Sequence, residues 1–126
     1  MVERLVAEVP ERIWAEGKAP RQQRWQAEFN VASWVRFSGP AGEAALLVCH
    51  EDDAGSHSQL VDRVSVSEAS SSLMSGMIRM SFTGQVGAVE VVIKLSDAAM
   101  GFTVDELYVQ RRGTELRRQD KLISNF

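Results

Sequence analysis

Several things are scarce in this chain of 126 residues, and each scarcity excludes something. It has one cysteine, Cys49, so no intrachain disulfide can form. A small domain without disulfides suits a reducing compartment, and the expectation is cytoplasmic. No apolar run approaches the roughly 20 residues that span a bilayer, so membrane insertion by a helix is not expected. The start, Met1-Val2-Glu3-Arg4, lacks a basic region followed by an apolar stretch and does not read as a secretory signal. There are two histidines, His50 and His57. There is no HExxH, no paired CxxC, no EF-hand spacing, no phosphate loop and no GxSxG elbow, and no motif assigns the chain to a known family. No cofactor signature is present either.

What is present suffices for a packed core. The chain is 44% hydrophobic and 25% charged, ordinary for one globular domain over residues 1–126. Net charge is −3, but it is unevenly spread. Glu43, Glu51, Asp52, Asp53 and Asp62 follow one another with no Lys or Arg between them. Arg111, Arg112, Arg117, Arg118 and Lys121 crowd near the end. Such segregation suits a charged protein partner. Nucleic acid is not the expected partner, because the chain is acidic overall and carries no recognisable nucleic-acid motif.

Hydrophobic spacing sets the expected elements. Val2, Leu5, Val6 and Val9 follow an i, i+3, i+4, i+7 stripe and predict a helix, with a strand as the alternative. Pro10 begins a kink or second short helix that Gly17 ends. Trp25, Ala27, Phe29, Val31, Val35 and Phe37 share one parity and predict a long strand. Trp34 and Arg36 lie on its other, polar face. Ala44 to Cys49 is apolar throughout and reads as a central strand. The loop Ser38-Gly39-Pro40-Ala41-Gly42 is of hairpin length, so these two strands are expected to pair. Glu51 to Ser58 reads as a polar loop, and eight serines between Ser56 and Ser75 suggest a loop or edge strand. Ile78, Met80 and Phe82, then Val89, Val91, Ile93 and Leu95, alternate cleanly as strands. Phe102 to Gln110 is a further strand whose phase slips at Asp105-Glu106, marking a β-bulge. Leu116 to Phe126 ends the chain as a short strand or helical turn.

The expected fold is therefore α+β: an N-terminal helix packed on a curled, mainly antiparallel sheet of five or six strands. The expected function is a non-enzymatic protein-binding module, such as an adaptor, inhibitor, immunity-type protein or assembly subunit, whose partner is another protein or a second copy. Its binding residues are Trp34 and Arg36 on the wet face, with Arg111, Arg112, Arg117 and Arg118. The alternative is a cone enclosing a small ligand, with lyase or isomerase chemistry, in which Asp105 or Glu106 faces the interior as a general base. A subsidiary alternative is a metal site at His50, Asp52, Asp53 and His57, residue types that ligate metals. Against it stands the simpler reading of these residues as a hydrated loop.

Overall fold

The computed structural model describes residues 2–14, 24–112 and 121–125. The predicted N-terminal helix is a strand, β1 (Val2–Val9), and no helix longer than one turn occurs among the described residues. The described helix, α1 (Glu11–Trp14), is a single turn closed by the Ile13 amide on the Pro10 carbonyl at 2.9 Å. The remaining elements are strands: β2 (Arg24–Ser38), β3 (Gly42–Asp52), β4 (Gly55–Val66), β5 (Ser71–Thr83), β6 (Val89–Leu95), β7 (Gly101–Arg112) and β8 (Lys121–Asn125). The α+β expectation is thus corrected to an all-antiparallel β-sandwich. One sheet has the order β1-β6-β3-β4 and the other β5-β2-β7-β8.

The helical stripe in β1 has a strand explanation. Val2 pairs with Leu95, Ala7 with Val91 and Val9 with Val89, with a register shift between Leu5 and Ala7. An extra residue at a bulge flips side-chain parity. Core-facing positions therefore move from even to odd along β1, and the mixed parity imitates a helical period. Leu5, part of the apparent stripe, is 59% exposed.

The β2–β3 hairpin is corrected too. β2 pairs with β5 and β7, whereas β3 pairs with β4 and β6. Each strand has one strongly apolar face, and the two faces meet across the core rather than side by side. The loop Ser38–Gly42 therefore crosses between sheets. Gly39 makes that crossing at φ 83°, and a Cβ there would sit 2.5 Å from the Ala99 carbonyl oxygen. Only glycine meets both demands. The alternating strands β5 and β6 likewise belong to different sheets.

Between the sheets lie Phe29, Val31, Val35, Leu46, Val48, Met74, Ile78, Met80, Phe82, Val91, Ile93, Leu107 and Val109. α1 plugs one edge: Trp14 is buried, donates from Nε1 to the Val9 carbonyl at 3.2 Å, and stacks on Phe82. β4 and β5, the ladder edges, abut each other. Asp62 Oδ2 accepts the Ser75 amide at 3.0 Å, and Gly76 lies against the Val61 carbonyl. The polar stretch after Glu51 is thus mostly strand. Its polar residues fit strands with one face to solvent, as the exposed and buried positions along β4 and β5 show. No helix among the described residues is long and apolar enough to cross a membrane.

Candidate functional site

Two places concentrate the chemistry anticipated from the sequence. The first is the outer face of sheet β5-β2-β7-β8. On β2 the odd residues enter the core, so the even ones point outward. Trp34 stands there, 47% exposed, in the middle of the sheet. The strand register puts Leu73 of β5 on one side of it and Glu106 of β7 on the other. One step along lies Ala32, between Ser75 and Tyr108; the next is Asn30, between Met77 and Gln110. Leu73 and Met77 are about half exposed. Trp34, Leu73, Ala32 and Tyr108 line a shallow depression of about 280 Å³. Ion pairs of both orientations border the patch. Arg36 Nε donates to both Asp105 oxygens at 2.8 and 2.9 Å, and Arg79 Nη2 donates to Glu28 at 2.6 Å.

The bulge expected at Asp105-Glu106 is present: Trp34 pairs with Glu106 and Val35 with Val104, leaving Asp105 as the extra residue. The Ser33 hydroxyl donates to the Glu106 carbonyl at 2.9 Å and satisfies the interrupted ladder. The bulge turns Asp105 toward Arg36 on the outer surface. Neither carboxylate faces the interior. The void bounded by Phe29, Val48, Ile78 and Val89 is about 10 Å³, no more than one water. Among the described residues the space at this point is filled by core side chains and has no room for the ligand of the expected cone. Arg111 and Arg112 are consecutive on β7 and point to opposite faces. Arg112 borders the Trp34 face through Glu28 and Met77, whereas Arg111 pairs in register with core-facing Phe29. Arg117 and Arg118 lie outside the described residues.

The second place is the tip of the β3–β4 hairpin. His50 and His57 are register partners on these strands, and the turn Asp53-Ala54 folds Asp52 back between them. The rings stack with centroids 4.7 Å apart. His50 is not a surface loop residue. It is 4% exposed, continues the core-facing parity of Leu46 and Val48, and leans on Phe82 at 4.8 Å. The Asp52 side chain is enclosed. Its Oδ1 accepts from the Ala54 amide at 2.8 Å and His57 Nε2 at 2.9 Å. Its Oδ2 accepts from the Thr83 amide at 2.9 Å and His50 Nε2 at 3.3 Å. Burial alone would raise the Asp52 pKa. The hydrogen bond from His57 and the two amides outweigh it and hold the carboxyl at about 2.

For His50 the balance is opposite. Burial, with help from neighbouring His57, pushes its pKa below the ordinary value despite the pull of Asp52. A neutral ring follows. Its Nε2 faces two acceptors, Asp52 and the Ser81 carbonyl at 3.1 Å, so the proton sits on Nε2. Nδ1 is then a buried acceptor with no hydrogen-bond partner among the described residues. Asp53, grouped with these residues by sequence proximity, points elsewhere: its Oδ2 accepts the Gln85 amide at 3.1 Å and fills the space a Cβ would need at Gly84. Cys49 lies on the opposite face from His50, its thiol 3.7 Å from the Ser58 hydroxyl.

The Ser81 carbonyl, Leu73 and Met77 were not anticipated as site groups, because only strand register brings them beside His50 and Trp34. Nor was a row across the other sheet's outer face, Leu5–Val92–Leu47–Leu60, which spans all four strands in register. No protein-family model, curated protein or solved structure matches this chain.

Proposed function

We propose that this protein is a non-enzymatic protein-binding module that docks through the outer face of sheet β5-β2-β7-β8. The observation that carries this reading is Trp34, half exposed at the centre of a sheet and bordered by Leu73 and Tyr108. Tryptophan is highly buried on average. A rigid aromatic in a shallow depression, ringed by charges of both signs, has the anatomy of an interface hot spot. The partner that fits is a protein surface with an apolar recess for the indole and charged groups able to meet Arg36, Asp105, Glu28 and Arg79. The single unpaired cysteine suits a cytoplasmic setting.

The test is light scattering of the pure protein together with capture from its source cells, using the parent and Trp34→Glu. A specific complex, of two copies or with another protein, is expected for the parent. Trp34→Glu is expected to lose it while keeping the same circular dichroism. A strict monomer that captures nothing, or a complex indifferent to Trp34→Glu, would sink the reading.

A further inference from the structure

We propose that His50, His57 and Asp52, with the Ser81 main-chain oxygen, form a site for one divalent transition-metal ion, with zinc as the ion of choice. Two imidazoles and a carboxylate are a donor set that zinc takes readily. The ligand atoms of the three side chains already lie within 4.8 Å of one another. His50 Nε2 is 3.3 Å from Asp52 Oδ2 and 3.1 Å from the Ser81 oxygen. A tetrahedral shell with bonds of about 2.1 Å has ligand–ligand edges of roughly 3.4 Å. The separations around His50 are thus close to those of a metal shell. His57, one-third exposed on a strand next to the turn, closes the remaining distance by a small inward swing.

One further feature fits an ion rather than protons alone. Asp52 is held in place by the Ala54 and Thr83 amides, the kind of outer support that orients a metal-binding carboxylate. On binding, the ion takes the position of the Nε2 protons, which move to Nδ1 or to solvent, and the amide hydrogen bonds to Asp52 remain.

The chain's only histidines are these two, which makes the test clean. Tag-free, chelator-stripped full chain is titrated with Zn²⁺ while its thermal midpoint is followed, and in parallel with Co²⁺ while its visible spectrum is recorded. One equivalent is expected to bind, raising the midpoint and giving the intense absorption of tetrahedral cobalt. His57→Ala, partly exposed and so tolerant of change, is expected to fold normally and to lose more than roughly 100-fold in affinity. Cys49→Ser is expected to bind as the parent does. An unchanged midpoint with an octahedral cobalt spectrum overturns the proposal, as does His57→Ala binding like the parent. Loss of binding in Cys49→Ser overturns it in favour of a thiol site on the other face.

Discussion

Replacing Asp52 by asparagine tests how the hairpin tip is held to the rest of the sandwich. The carboxylate accepts four hydrogen bonds, two from main-chain amides and two from imidazoles. It also sits where β3–β4 meets the end of β5, beside the Asp53 amide bonded to the Thr83 carbonyl at 3.0 Å. An asparagine oxygen can serve the donors on one side only. Its amide nitrogen then confronts the donors on the other side, Thr83 or Ala54 and one histidine. Each unmet buried donor costs about 1–3 kcal/mol, and bonds to a charged acceptor are the stronger ones to lose. Since His50 Nε2 keeps the Ser81 carbonyl, the expected loss is about 3 kcal/mol. For a domain of this size that lowers the thermal midpoint by about 10 °C.

The measurement is urea and thermal unfolding at neutral pH in chelator, followed by tryptophan fluorescence, since Trp14 and Trp25 both stack on Phe82 near the cluster. A second signature comes from acid. Asp52 is depressed from 3.8 to about 2, so its contribution is complete above the unfolded value and is lost as the pH falls through the folded one. The parent should lose up to about 2 kcal/mol between these values beyond what Asp52→Asn loses. A variant within about 0.5 kcal/mol of the parent at neutral pH, or an acid profile parallel to the parent's, would refute the reasoning.

Three further outcomes are expected. Gly76→Ala puts a Cβ 2.3 Å from the Val61 carbonyl oxygen at the β4–β5 seam, and should cost about 1–3 kcal/mol in urea unfolding. Phe82→Ala removes a fully buried ring that touches Trp14, Trp25 and His50, and should cost about 3–5 kcal/mol with a marked change in near-ultraviolet circular dichroism. Leu73→Ser, on the exposed face beside Trp34, should leave the unfolding midpoint within about 0.5 kcal/mol of the parent yet weaken whatever complex Trp34→Glu abolishes.

The odd-parity stripe from Trp25 to Phe37 is legible as a strand because burial of one face imposes a two-residue period, and the same holds for β5 and β6. The slip at Asp105 is legible for the same reason, since a bulge is one residue of phase error. The helix expected at Val2–Val9 illustrates the limit. A bulged edge strand and an amphipathic helix can share spacing, and what separates them is whether β6 lies alongside. The His-Asp-His cluster was only half legible. His50 and His57 approach if a tight turn forms between them, but enclosure of Asp52 and exclusion of Asp53 depend on where β5 ends.

The sequence by itself therefore determined the one-sided apolar faces of β2, β5 and β6, where the phase of β7 breaks, and that Trp34 faces away from its neighbours' apolar side. Those are properties of one strand at a time. Tertiary structure alone decided that β2 and β3 belong to opposite sheets, that their apolar faces meet in one core, and that Asp105 is spent on Arg36 at the surface. It also decided that His50, Asp52, His57 and the Ser81 carbonyl converge. The physical reason is that alternation specifies which face of a strand is buried but not against what. Partners across the core and along the sheet are chosen only when the strands of both sheets come together.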